Sequence, residues 1–149
     1  MEKQRVYVMI CCPMRDKSDE EIKAQLLETR KWVEQYMGPS VEVTCFDNMV
    51  NYHNPSLMDT EENRDSYGLF CLGNGLANVM AQCNYIVFAP GWNGSRGCIV
   101  EMIAARLYGK PTIALNRNGY DGKLYKVSPE TIHDMLKLGL ELERYSNEA

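Results

Sequence analysis

The chain lacks any apolar run near the 18 or so residues that a membrane-spanning helix needs. Its start, Met1-Glu2-Lys3-Gln4-Arg5, passes straight into a β-rich run without the zones of a secretory signal. Both absences lead us to expect a cytoplasmic protein with no membrane partner. An excess of positive charge is missing too. With 20 acidic and 16 basic residues the formal charge is -4, which offers no basic field for wrapping a nucleic-acid backbone. A nucleic-acid polymer is therefore not expected as partner, whereas a single nucleotide remains compatible.

Six cysteines (Cys11, Cys12, Cys45, Cys71, Cys83, Cys98) form no Cys-x-x-Cys pair, and most lie in apolar surroundings. We expect reduced core thiols rather than disulfides or a zinc site. The two histidines, His53 and His133, are far apart and have no acid or cysteine at metal-ligand spacing. Neither a metal centre nor a Cys/His nucleophile pair is supported.

What the chain does have is enough apolar material for a core: 45% of its 149 residues are hydrophobic, matching one domain over residues 1–149. Residues 5–11 (RVYVMIC) read as a strand. Ser18 and Glu21 then form a capping box before Ile22, Leu26, Val33 and Met37 at helical spacing, and Gly38-Pro39 ends that helix. Residues 41–46 alternate as a second strand, and about twenty polar residues follow over 47–67, a length usual for a functional loop. A weakly helical stretch over 72–82, an apolar strand at 85–89, a helix over 98–108 and a buried strand at 111–115 continue the alternation. After a turn-rich connection at 116–126, Ser128-Pro129 opens a last helix containing Ile132, Met135, Leu136 and Leu140. Continuous apolar strands alternating with helices argue for an α/β fold with a parallel sheet covered on both faces. In such sheets ligands bind beyond the carboxyl ends of the strands.

The junction at that edge is Ala89-Pro90-Gly91-Trp92-Asn93-Gly94-Ser95-Arg96-Gly97-Cys98-Ile99-Val100-Glu101, a strand running into a glycine-rich loop and then a helix. Gly91, Gly94 and Gly97 are spaced by three, unlike a P-loop or a dinucleotide fingerprint, so a kinase or an NAD enzyme is disfavoured. What remains is a serine and free backbone amides at a helix N-terminus, suited to a phosphate or a sugar hydroxyl. Ser95 serves equally as the helix cap, Arg96 as a solvated arginine, and Glu101 as a partner of the helix dipole or as a carboxylate leaning toward the loop. Trp92 either stacks on a base or closes the loop by packing. The first strand ends in Cys11-Cys12-Pro13-Met14-Arg15, which a parallel sheet brings to the same edge, with Arg15 able to pair with an anion. Tyr7 belongs to the core or extends its hydroxyl to a ligand. Among Asp59, Glu61, Glu62 and Asp65, one acid of the long loop can swing over the site.

Taken together, the first strand ending near an arginine, Gln82-Cys83-Asn84-Tyr85-Ile86-Val87-Phe88, and Gly91-Trp92-x-x-Ser95-Arg96-Gly97-x-x-x-Glu101 before Gly109-Lys110-Pro111 resemble the nucleoside 2-deoxyribosyltransferase superfamily. That superfamily includes the 2'-deoxynucleoside 5'-phosphate N-hydrolases and small bacterial and phage proteins. The resemblance covers most of residues 5–115. It implies a flavodoxin-like, doubly wound (Rossmann-like) parallel sheet, no cofactor, and a homodimer or larger homo-oligomer. It also implies N-glycosidic bond cleavage or transfer on a nucleoside or (deoxy)nucleoside 5'-monophosphate. Glu101 takes the place of the catalytic glutamate, Ser95 and Gly97 of the phosphate or 5'-hydroxyl contacts, Arg15 of the first-loop arginine and Tyr7 of a sugar-contacting tyrosine. Cys12, Gly91 and Trp92 join them as expected substrate-binding residues.

Two positions depart from the family pattern. An acid expected in the helix before the third strand is replaced by Asn74, Gly75, Leu76, Ala77 and Asn78, and Asn84 stands where Asp is common. Base protonation would fall to another group such as Asp65; otherwise activity is reduced or lost. Two other functions stay open: a noncatalytic nucleotide or sugar-phosphate binding module, and a purely structural domain. A glutamate near a helix N-terminus is expected to be ionised, as a nucleophile must be.

Overall fold

The strand β1 (Gln4–Cys11) organises the molecule in the computed structural model, which describes residues 3–14, 16–47, 62 and 64–147. It lies between β2 (Val41–Asp47) and β3 (Tyr85–Phe88), parallel to both, with β4 (Thr112–Arg117) parallel beyond β3. A short fifth strand, β5 (Leu124–Lys126), pairs antiparallel with β4 and completes the order β2-β1-β3-β4-β5. The chain is thus an α/β protein of flavodoxin-like, doubly wound architecture. From Val8 onward β1 is buried without alternation, because helices cover both of its faces.

One face rests on α1 (Asp19–Met37), whose Ile22, Leu26 and Val33 meet Val8, Ile10 and Val87. Each such aliphatic side chain contributes about 1.5–3 kcal/mol when fully buried. The helix starts at the expected capping box, with the Ser18 hydroxyl accepting from the Glu21 amide at 3.1 Å, and stops at Gly38, whose φ of 85° suits only glycine. The opposite face carries α2 (Arg64–Asn78), α3 (Arg96–Leu107) and α4 (Pro129–Asn147), with Met9, Phe88, Trp92 and Met102 at the centre of their shared core. Here α4 comes so close to the turn Trp92–Gly94 that a Cβ on Gly139 would sit 2.4 Å from the Asn93 carbonyl oxygen. The Asn93 side-chain amide donates to the Met135 carbonyl at 3.2 Å, so the last helix braces the loop that leads into α3.

Several elements differ from expectation. The helix expected over 72–82 begins eight residues earlier, at Arg64, and ends at Asn78 before a separate 3-10 turn, Met80–Gln82. Gly68, Gly73 and Gly75 dilute its helical signal. The connection over 116–126 contains β5, three largely exposed residues held by a hairpin in which the Asn118 amide donates to the Lys123 carbonyl at 2.9 Å. A strand so short and exposed carries no periodicity to read. The last helix forms as expected: in α4, Ile132 is buried, Met135 and Leu136 are half-buried, and Leu140 is exposed. All six cysteines are free, and Cys11, Cys12, Cys83 and Cys98 are buried. No helix among the described residues is long and apolar enough to cross a membrane.

Candidate functional site

Parallel strands bring their carboxyl ends to one edge, and the strand order departs from sequence order between β1 and β3. Just beyond this point a cavity of about 500 Å³ opens between α2 and α3. Its floor is the first loop, through Cys12 and Met14, and one wall is the start of α3, through Ser95, Arg96, Gly97, Cys98, Val100 and Glu101. The other wall is one face of α2: Asp65, Gly68, Leu69, Cys71, Leu72 and Gly75.

Local sequence explains the α3 wall. Gly91 takes φ of 84°, which lets the chain turn sharply after β3, and Ser95 caps α3 by accepting from the Cys98 amide at 3.5 Å. The first-turn amides of α3 therefore border the cavity, with the positive end of the helix dipole behind them. Gln25 of α1 secures both loops. Its side-chain amide donates to the Pro90 carbonyl at 3.0 Å, while its side-chain oxygen accepts from the Cys12 thiol and the Lys17 ammonium, each at 2.9 Å.

Glu101 lies one and a half turns into α3 and is only 3% exposed, yet it borders the cavity. Its Oε2 accepts a hydrogen bond from the Cys11 thiol at 3.2 Å. Burial pushes its carboxyl up to about 7, and the thiol hydrogen bond only partly opposes this. The sequence led us to expect an ionised glutamate; at this depth desolvation by burial instead favours the protonated form. Burial and the charge of Glu101 both push the Cys11 thiol upward, so Cys11 stays protonated and is the donor.

Asp65 and Arg96 meet across the mouth at 2.8 Å, joining α2 to α3. Both side chains are more than half exposed, so the pair contributes at most a few tenths of a kcal/mol to stability. Arg96 is thus ion-paired rather than simply solvated, and Asp65 is the second carboxyl on the cavity wall.

Of the expected site residues, Glu101, Ser95, Gly97, Cys12 and Asp65 come together around this cavity. Trp92 does not. It is fully buried against Phe88, ring centroids 5.6 Å apart, so it closes the loop by packing and cannot stack on a base. Among the described residues its indole Nε1 finds no hydrogen-bond partner. Gly91 shapes the turn without lining the cavity. Tyr7 sits four residues before the end of β1, roughly 13 Å from the carboxyl edge, and is 38% exposed. It is not part of the core and does not line this cavity: it stacks on the exposed Phe46 of β2, centroids 6.2 Å apart. Arg15, His53, Asp59 and Glu61 lie outside the described residues. Asn74 and Asn78 bond within α2 and do not line the cavity.

The sequence reading missed Cys11, Met14, Leu69, Cys71 and Leu72. Residues 65, 68, 69 and 72 follow the spacing of one helix face, a signal that becomes legible once α2 is known to start at Arg64. Cys11 left no local signal, since its partner is ninety positions away. No group of three or more metal-ligating side chains occurs among the described residues. No family model, curated protein or solved structure matches this chain.

Proposed function

We propose that the protein cleaves or transfers the N-glycosidic bond of a nucleoside or (deoxy)nucleoside 5'-monophosphate, with Glu101 as nucleophile. The observation that carries this reading is a nearly buried carboxyl bordering a cavity at the strand-order reversal, beside the Ser95-Arg96-Gly97 helix start. A leaving base builds positive charge on the anomeric carbon, and a carboxylate in a low-dielectric wall stabilises or traps that charge. In the first step a Glu101 oxygen bonds to the anomeric carbon as the carbon–nitrogen bond breaks. The bonding pair leaves with the base, which takes a proton from solvent. Water or a second base then attacks the same carbon, releases the carboxylate and gives its own proton to solvent.

On this reading Ser95 and the Gly97 amide hold a 5'-hydroxyl or phosphate, Arg96 adds a cation, and Asp65 is the second acid at the mouth. The reading includes no cofactor, a homodimer or larger assembly, and a cytoplasmic location. Base release or exchange from a panel of nucleosides and 5'-monophosphates tests it. Turnover that falls on the order of 10³-fold in Glu101→Ala supports it. Identical behaviour of wild type and variant on every substrate overturns it.

The second reading, a noncatalytic nucleotide or sugar-phosphate binding module, draws on the engagement of Asp65 by Arg96. A second acid held in an ion pair suits recognition better than proton delivery. Ligand-induced thermal stabilisation without turnover would favour that reading.

A further inference from the structure

Two buried groups from distant parts of the chain meet beneath the cavity, and the reading of Glu101 as nucleophile leaves one of them unused. Cys11 is the last residue of β1, fully buried, and its thiol donates to Glu101 Oε2 at 3.2 Å. A carboxyl this deep normally needs several donors to remain usable as an anion. The thiol is the one hydrogen-bond donor to it among the described residues.

We propose that Cys11 is a positioning residue for Glu101: its thiol fixes the carboxyl by one oxygen, turns the other toward the cavity, and favours the ionised form. This rests on the reading of Glu101 as the reactive carboxylate. The chemistry fits a thiol. It is small enough for a buried position at the end of β1 against α3, and it donates a weak hydrogen bond that steadies an anion without quenching its nucleophilicity. A hydroxyl or an amide would bind the carboxylate more strongly. A basic side chain would neutralise it.

The other titratable groups near Glu101 do not supply this function. Cys98 lies on α3 itself, and its thiol is pushed up by burial and by Glu101. Cys12 of the first loop donates its hydrogen bond to the Gln25 side-chain oxygen. Cys71 and Asp65 border the cavity from α2, with Asp65 bound to Arg96. Neither lysine nor histidine is among the described lining residues.

The test uses the full chain and three replacements: Cys11→Ala, Cys11→Val, which fills the space without a donor, and Cys11→Ser, which keeps one. The ionisation midpoint of Glu101 is followed by carbon NMR of glutamate-labelled protein, alongside kcat and KM on any substrate that turns over. Loss of the donor in Cys11→Ala and Cys11→Val should move the midpoint to higher pH by about half a unit or more, with Cys11→Ser returning toward wild type. On a turned-over substrate, kcat at neutral pH should fall about tenfold in the first two variants while KM changes little. An unchanged midpoint in both donor-free variants overturns the proposal, as does a Cys11→Ser midpoint as high as theirs. The NMR midpoint decides this even if no N-glycosidic substrate is cleaved, a result that would remove only the catalytic reading.

Discussion

The two walls of the cavity are built in opposite ways. The α3 wall follows a buried tryptophan, starts at a capped end braced by α4, and sends Cys98, Ile99, Glu101 and Met102 into the core. On the α2 wall, Asp65, Ser66, Gly68 and Leu69 are exposed, Leu69 to 69%, and its first turns bury little apolar surface. The two carboxyls share the contrast. Glu101 is held by a thiol in a dry wall and driven up toward pH 7, whereas Asp65 is held by a guanidinium in water. A well-packed wall facing a loosely packed one suits a site that holds one side still and adapts the other to a ligand.

Three substitutions would break or sharpen that contrast. The largest effect is expected for Trp92→Ala at the root of the α3 wall, which should destabilise the fold by about 3–5 kcal/mol in denaturant unfolding. A loss below about 1 kcal/mol would mean that the wall is not anchored as described.

Next comes Glu101→Gln. A raised carboxyl value means that between about pH 4.5 and 7 the folded protein holds a proton that the unfolded chain has lost. Stability therefore falls as pH rises through that window, and the full penalty, on the order of 3 kcal/mol, is present above pH 7. Glu101→Gln should remove that penalty while abolishing any turnover, raising Tm at pH 8 and leaving it nearly unchanged at pH 4. A uniform Tm shift at both pH values would contradict the assignment of the penalty to this carboxyl.

The smallest stability effect belongs to Asp65→Asn, within about 0.5 kcal/mol, because its ion pair is solvent-screened. If Asp65 delivers the proton to the leaving base, the same variant should still cost about 10²-fold or more in turnover. A stability loss near that of Trp92→Ala would show that the two walls are not built differently.

Much of the frame was legible beforehand because it rests on local rules. The Ser18/Glu21 capping box, the Gly38 stop, the apolar runs of β1, β3 and β4, and the Ser95 cap each follow from residues within a few positions of one another. The short, exposed β5 and the glycine-diluted start of α2 left too little local signal, and the misplaced start of α2 hid one wall of the cavity. Trp92 was ambiguous for a related reason: its neighbours in sequence are loop residues, while its neighbours in space are Phe88 and the shared helix core.

The sequence by itself determined the alternation of strands and helices, the edge where their loops gather, and the Ser95, Gly97 and Glu101 positions on that edge, since these depend on spacing along the chain. Only the tertiary structure decided which of those residues share a cavity, that Trp92 and Tyr7 point elsewhere, and that Asp65 reaches Arg96. It also decided the state of the site's central carboxyl. Ionisation depends on how much water and which donors surround a group, and for Glu101 the burial comes from the packed core and the donor from a strand ninety residues away.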